Sequence, residues 1–387
     1  MDFRLTGEQE AFHQEVISFI QGVLPKGWDC LDPMETAPHY LEFSRRAARE
    51  LGKRGWLGLA WPREHGGWED PLADALLAEE LAYYRLPARD VQGVGMIGPT
   101  IIAFGTPEQK AQHLPPIARG EVFWCQGYSE PGAGSDLAGV ALRAVEEGDY
   151  FVVNGQKTWT SFANTADWLY FLARTDPTQT RHRGISFFLS PVKAPGIQVR
   201  PIPDMAGGES LNEVYFDSLR VPRTQMLGEK NRGWYVAMAL LEFERSMAAF
   251  IGVARRMLDD LAGYFRESPT VLRDSCLRQG LAQAAVETEV GRWLCYRNAW
   301  LHHKKLPFGS EPPIAKVFMS ELVQRIANLG TRALGLYGAL APGSPRARLL
   351  GEMALLSEST LRETILAGTS EIQRNVIAWR GLNMPRE

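Results

Sequence analysis

Cysteine is scarce and scattered in this chain: four residues, Cys30, Cys125, Cys276 and Cys295, among 387. No two stand at the spacing of a metal finger or a redox pair, so buried free thiols are their expected state. The seven histidines form no HExxH or comparable ligand pattern, and no metal site is expected. His302-His303, beside Lys304-Lys305, reads as a solvated helix end. Neither sign of charge is in large excess. A net charge of −3 gives no field for gathering nucleic acid or an anionic membrane surface. No apolar run approaches the length that crosses a bilayer. The N-terminus, with Asp2, Arg4 and Glu8 among apolar residues, has the texture of neither a signal peptide nor a transit sequence. The cytoplasm is the expected compartment. Internal repeats and low-complexity segments are also lacking. What is there, with 45% hydrophobic residues, has the composition of a soluble globular chain long enough for two or three domains.

The texture changes twice along the chain. In residues 1–121, stretches 5–24 and 40–55 carry apolar residues at helical spacing, and 71–84 and 107–117 read as further helical stretches. Trp61-Pro62-Arg63-Glu64-His65-Gly66-Gly67 is a loop by its Pro and Gly content. In residues 122–230, short β-branched or aromatic segments (151–153, 168–174, 184–190, 197–201, 214–217 and 219–222) are bounded by turn residues, the pattern of a β domain. From 231 to 387 the chain is helical again. The long periodic stretches 234–266, 271–302, 313–340 and 352–379 predict a bundle of antiparallel helices.

Two runs in the middle block stand out. Ser129-Glu130-Pro131-Gly132-Ala133-Gly134-Ser135-Asp136 cannot be the interior of a helix or strand, because Pro lacks a donor and Gly is too permissive. It predicts a tight loop whose N–H groups face something polar. Asn154-Gly155 lies between the β-prone segments 149–153 and 157–160 and predicts a hairpin turn. That hairpin would deliver Trp159, Thr160 and Ser161 close to the loop.

At that spacing, the two runs resemble the flavin-binding middle of the acyl-CoA dehydrogenase family. The resemblance extends over nearly the whole chain. Gly105-Thr106-Pro107-Glu108-Gln109-Lys110 with Gly120-Glu121 looks like the end of the family's first helical domain. Ala367-Gly368-Thr369-Ser370-Glu371-Ile372-Gln373-Arg374 looks like its closing signature. Tyr128 departs from the family, which usually has an aliphatic residue there. The resemblance implies three domains: an N-terminal helical domain (1–121), a small central β-barrel or sandwich (122–230), and a C-terminal four-helix bundle (231–387).

It also implies FAD as cofactor, an acyl-CoA substrate, and an electron-transfer flavoprotein or similar acceptor. Family enzymes take a proton from the carbon next to the thioester carbonyl while a hydride leaves the next carbon for flavin N5. The resemblance carries Gln126, Tyr128 and Ser129 to the flavin edge, and Trp159, Thr160 and Ser161 to the cover of the ring. Ser135 is carried to a contact with both ligands, and Thr369 and Glu371 to further flavin contacts. Gly368 matches a backbone contact to the thioester. Glu371 stands where glutamine is common. Read without the family, the same residues are ordinary turn and hairpin residues.

Most relatives carry the catalytic base directly before Gly-Thr of the closing signature. Here that position is Ala367, which takes no proton. A minority pattern, as in isovaleryl-CoA and long-chain acyl-CoA dehydrogenases, puts a Glu before an Arg early in the bundle, and Glu244-Arg245 matches it. On a helical wheel, Glu244 falls in the stripe of Leu240, Met247, Ile251, Ala254 and Leu258, where a carboxylate is costly unless paired or working. A structural ion pair within the bundle, or no special role, are the alternatives. Room left at Ala367 favours a branched, cyclic or otherwise bulky acyl group, unless Leu366 or Trp159 fills it. The cross-subunit flavin motif Arg-x-x-Phe-Gly is missing, since that region reads Tyr264-Phe265-Arg266-Glu267-Ser268-Pro269. A Gly-rich run usual further on is reduced to Arg332-Ala333-Leu334-Gly335-Leu336-Tyr337-Gly338. These departures resemble the branch that takes bulky or steroid-like acyl-CoA, some members of which are mixed pairs of subunits. A homodimer, a homotetramer or a heterotetramer is expected. A non-catalytic subunit, or a flavin monooxygenase on the same scaffold, are the competing readings.

Overall fold

The computed structural model describes residues 4–28, 30–31, 38–243 and 247–385. Glu244 and Arg245 lie outside the described residues. The chain divides into two compact units, neither continuous in sequence. One holds Met1–Pro33, Glu69–Pro87 and Arg245–Glu387; the other holds Met34–Trp68 and Ala88–Glu244.

The helices of the first two blocks are α1 (Gly7–Val23), α2 (Pro38–Lys53), α3 (Pro71–Tyr83), α4 (Gly98–Phe104) and α5 (Pro107–Ala118). Local chemistry sets their starts. Thr6 and Gln9 form a reciprocal capping box on α1, and Thr106 and Gln109 repeat it on α5 with Pro107 at the first turn. That accounts for the Gly-Thr-Pro-Glu-Gln run. The Gln109 amide also donates to the carbonyls of Thr224 at 2.8 Å and Met226 at 3.0 Å. Asp70 caps α3, which is buried nearly all round from Ala73 to Leu81 and so carries little amphipathic pattern.

Eight strands follow: β1 (Trp124–Gly127), β2 (Arg143–Glu147), β3 (Tyr150–Lys157), β4 (Trp168–Arg174), β5 (Ile185–Pro191), β6 (Ile197–Ile202), β7 (Leu211–Pro222) and β8 (Met226–Leu227). They form one sheet in the order β6-β7-β3-β2-β4-β5-β8, with β1 pairing in parallel beside β4. Its core includes Phe151, Phe171, Phe188 and Phe216, with Phe171 and Phe188 stacked at 5.6 Å.

The expected turn at Asn154-Gly155 is not there. Both residues lie inside β3, and the hairpin closes instead at Gly148-Asp149 between β2 and β3. Asn154 and Gly155 serve an irregularity with β7: Val153 faces Leu219 while Gly155 faces Phe216, so two steps on β3 span three on β7. Gly155 supplies a φ of +133°, and the Asn154 carboxamide accepts the Ser218 N–H at 2.8 Å. Turn and bulge ask for the same backbone freedom, and the sequence signal does not distinguish them. Likewise, the segments 214–217 and 219–222 are one strand, β7, split only in its alternation.

The remaining helices are α6 (Gly233–Phe243), α7 (Ala248–Glu267), α8 (Pro269–Arg273), α9 (Ser275–His303), α10 (Glu311–Leu334), α11 (Glu352–Ser359) and α12 (Ser370–Val376). The periodic stretch 234–266 is therefore not one described helix. A wheel run through it assumes a phase that the helices ending at Phe243 and starting at Ala248 do not share by necessity. Within the helical unit, α3, α7, α9 and α10 bury Leu76, Ile251, Leu261, Met319, Leu322 and Ile326 together. The backbones of α3 and α7 approach so closely that a Cβ on Gly252 would lie 2.0 Å from the Glu79 carbonyl.

Candidate functional site

The two singled-out runs meet within the sheet unit. The Thr158 N–H donates to the Ser129 carbonyl at 2.9 Å, joining the loop after β1 to the segment after β3. Glu130 and Ala133 exchange two backbone hydrogen bonds across the turn. Beneath it, Lys157 is fully buried. Its ammonium donates to the Tyr128 carbonyl at 3.0 Å and to the Glu130 carboxylate at 2.7 Å. That carboxylate also accepts the N–H groups of Ala141 at 2.7 Å and Leu142 at 3.0 Å. One buried ion pair thus ties down both ends of the glycine loop. Burial pushes the Lys157 ammonium down to about 8, while Glu130 opposes that fall.

Gln126 sits on β1 opposite Tyr170 of β4, and its amide donates to the Tyr170 hydroxyl at 3.3 Å. Tyr128 is buried, with its ring edge-on to Tyr170 and Phe187. Ser135 is exposed at the far side of the loop. Trp159 is 59% exposed in a left-handed backbone, φ +59°, an expensive conformation for a bulky residue and a pointer to function. The surroundings enforce it. Thr160 N–H donates to the Asn212 carbonyl at 2.9 Å, Phe162 N–H to the Ser210 carbonyl at 2.7 Å, and Asn212 Nδ2 to the Thr160 carbonyl at 3.1 Å. Ser161 lies half-buried between them. The Thr160 hydroxyl is buried and has no hydrogen-bond partner among the described residues. A buried polar atom without a partner is costly. Beside an exposed indole, it fits a planar ring with a polar edge, as FAD has.

Gly368, Thr369 and Glu371 belong to the helical unit. Thr369 caps α12, accepting the Ile372 N–H at 3.2 Å. The exposed Glu371 occupies the first turn, where its own N–H and the Thr369 hydroxyl hold its carboxyl below the ordinary value. Ala367 and Gly368 are successive left-handed residues, φ +52° and +82°. Their carbonyls are held from below: Gln373 donates to Ala367 at 2.7 Å and the buried Lys316 of α10 to Gly368 at 2.8 Å. Leu366, Ala367 and Trp159 are all exposed in the chain. Glu244 and Arg245 lie outside the described residues.

Sequence reasoning named the loops and missed their braces. Lys157 had a readable signal, since it holds an inward position in the alternation of β3 with Phe151 and Val153. Lys316 stands mid-helix among the buried positions of α10. Among the described residues no group of His, Cys, Asp and Glu could hold a metal ion, and no helix is long and apolar enough to cross a membrane.

A sheet unit whose loop carries a buried hydroxyl, unpartnered among the described residues, beside an exposed indole suits a flavoprotein oxidoreductase. Models of the N-terminal, middle and C-terminal domains of acyl-CoA dehydrogenases match residues 6–121, 125–219 and 231–382, and the chain belongs to that family. Its members are FAD-dependent flavoproteins that oxidise a CH–CH bond of an acyl-CoA thioester. The acyl-CoA dehydrogenase IpdE1 of Mycobacterium tuberculosis is 37% identical over 89% of each chain. Among solved structures, the Tcur3481-Tcur3483 steroid ACAD is 32% identical with a TM-score of 0.91 over the whole of both chains. The ChsE4-ChsE5 complex from Mycobacterium tuberculosis is 31% identical with a TM-score of 0.88, again over both chains in full.

Proposed function

We propose that this chain places a double bond between the α and β carbons of an acyl-CoA thioester whose acyl group is branched, cyclic or otherwise bulky, with Glu244 as the base. Ala367 carries the reading. The signature loop has no carboxylate at the usual position. Its acidic neighbours in sequence are engaged elsewhere, Glu363 with Arg362 at 3.2 Å and Glu371 in the first turn of α12. The proton acceptor then comes from another element, and Glu244-Arg245 matches the minority pattern. A bulky substrate agrees with the room that alanine leaves, and a steroid ACAD is among the similar structures. The proposed domains are 1–121, 122–230 and 231–387, and the proposed compartment is the cytoplasm.

In this reading Gln126, Tyr128 and Ser129 meet the flavin edge, Trp159, Thr160 and Ser161 cover the ring, and Thr369 and Glu371 add contacts. Ser135 touches both ligands. Lys316 and Gln373 hold the carbonyls of Gly368 and Ala367, which fixes the backbone that meets the thioester. Arg245 stands beside the base at the substrate. Glu244 removes the α-proton, and exclusion of water from the closed site raises its basicity. FAD, when bound, supplies the acceptor for the β-hydride. An electron-transfer flavoprotein or similar acceptor then takes the electrons.

Anaerobic mixing with a panel of acyl-CoA thioesters tests the reading. Ring-bearing or α-branched thioesters should bleach the flavin faster than butyryl- or octanoyl-CoA. Glu244→Gln should keep the flavin and lose at least about 10²–10⁴-fold in bleaching rate. A variant within threefold of the parent removes Glu244 from the mechanism, and a tenfold preference for straight chains removes the bulky substrate. A second reading, a half-site subunit that completes a paralogous partner, is favoured by the missing cross-subunit motif and by Leu336, 94% exposed in the reduced run after α10. Purified alone, such a subunit would hold far less than one flavin per chain.

A further inference from the structure

Residues Val91–Ile97 are wound as a π-helix directly before α4, a rare form that concentrates at functional sites. Asp90, at its start, is an anchor. Its carboxylate accepts the Trp124 N–H at 2.8 Å and the N–H groups of Gln92 and Gly93. Gly93 is needed for that approach, because a Cβ there would lie 2.4 Å from the carboxylate. The first turn of the π-helix and the first residue of β1 are thereby fixed to one side chain.

Two residues along each element, their side chains converge again. The Tyr170 hydroxyl donates to Gln92 Oε1 at 2.5 Å and accepts from Gln126 Nε2 at 3.3 Å. A hydroxyl has one proton to give. With that proton on Gln92, Gln126 meets the hydroxyl through its N–H, and its Oε1 and second N–H remain for another partner. No other partner of the Gln126 amide occurs among the described residues. The Tyr170 ring is fully buried, stacked on Phe187 with centroids 5.8 Å apart, and edge-on to Tyr128 at 5.9 Å.

We infer that Tyr170, held by Gln92, is a positioning residue for the flavin: it orients the Gln126 amide and backs the Tyr128 ring, so that the π-helix sets which donor and acceptor the sheet presents. The inference rests on the reading of Gln126 and Tyr128 as flavin-edge residues. It adds that this edge is specified one layer deeper, by side chains that do not meet the ligand, and that the amide's polarity is chosen by the direction of one proton.

The test uses the flavin-loaded protein and four variants: Tyr170→Phe, Gln92→Leu, their double, and Gln126→Leu. The readouts are the visible absorption band of the bound flavin, its dissociation constant on dilution, and the thermal midpoint. Tyr170→Phe and Gln92→Leu should each weaken flavin binding about three- to tenfold and displace the band in the same direction. The double variant should be no worse than the stronger single, because both break one route. If both singles leave the band and affinity unchanged while Gln126→Leu alters them, the inference is wrong and the flavin-edge reading stands. If Gln126→Leu alters neither, that reading fails and takes the inference with it. Additive losses with an unmoved band would mean that the residues only stabilise the fold, which also overturns the inference. Should Tyr170→Phe fail to fold, Gln92→Leu against Gln126→Leu makes the same comparison.

Discussion

In the sheet unit, the Lys157 ammonium lies between the Glu130 carboxylate and the Tyr128 carbonyl. In the helical unit, Glu79 and Glu80 of α3 meet Arg255 of α7 at 2.5 and 2.7 Å. The Tyr296 hydroxyl and the Arg292 guanidinium, both from α9, also face Glu79, and His13 of α1 faces Glu80 at 2.9 Å. Both are buried ionic clusters, and they hold different things. The first has one cation and spends its remaining acceptor capacity on loop N–H groups. The second is redundant: Arg255, Tyr296 and Arg292 converge on Glu79, and Arg255 and His13 on Glu80. Buried charge in the sheet unit fixes the glycine loop after β1. Buried charge in the helical unit fixes helices to one another.

Removing the single cation should have the largest effect. Lys157→Met leaves Glu130 buried without its counter-charge and should cost about 3–5 kcal/mol, with loss of bound flavin as the loop loosens. Denaturant unfolding and the flavin-to-protein absorbance ratio check both parts. Arg255→Met should cost less, about 2–3 kcal/mol, because Arg292, Tyr296 and His13 remain on the carboxylates. Flavin affinity should stay within about twofold of the parent. If Arg255→Met strips the flavin as Lys157→Met does, the division of labour between the clusters is wrong.

Asp90 sharpens the comparison from the other side, as a buried carboxylate held chiefly by backbone N–H groups. Burial pushes its carboxyl up to about 7, against the N–H groups of Trp124, Gly93 and Gln92. Unfolded, such a group titrates near 4. Between those values the folded chain keeps a proton that the unfolded chain has lost, so the group's contribution to stability falls as pH climbs from about 4 to about 7 and is level above. Asp90→Asn should therefore gain on the parent in thermal midpoint as pH rises from 5 to 8. A difference that stays constant over that range would show that Asp90 is ionised throughout.

The parts of this molecule that were legible in its sequence are those decided locally. The strand β4 was read at its observed bounds because an apolar run framed by Asp167 and Thr175 has few other solutions. The helix α5 and the loop after β1 were equally plain. What escaped was decided at a distance. Lys157 meets Glu130 across 27 positions, Tyr170 meets Gln92 across 78, and no spacing rule spans such gaps. Asn154-Gly155 misled for a different reason, since one backbone preference serves two structures. The two runs of the candidate site were legible as loops, and the proposed base at Glu244 rests on the resemblance and on a wheel that crosses residues 244–246, outside the described residues.

The bulge between β3 and β7 gives its strand a change of parity. Before it, the inward residues of β7 are even-numbered: Asn212, Val214 and Phe216. After it they are odd: Leu219 and Val221. Ser218, in left-handed backbone with φ +53°, sits at the join. A substitution anywhere in β7 alters one side chain. Deleting one residue at 217 or 218 would remove the bulge instead, because Leu219 would then stand two places after Phe216, and Leu219 and Val221 would stay inward in a strand of single parity. The strand is thus two phrases separated by a comma, and striking the comma joins them without changing which letters face the core.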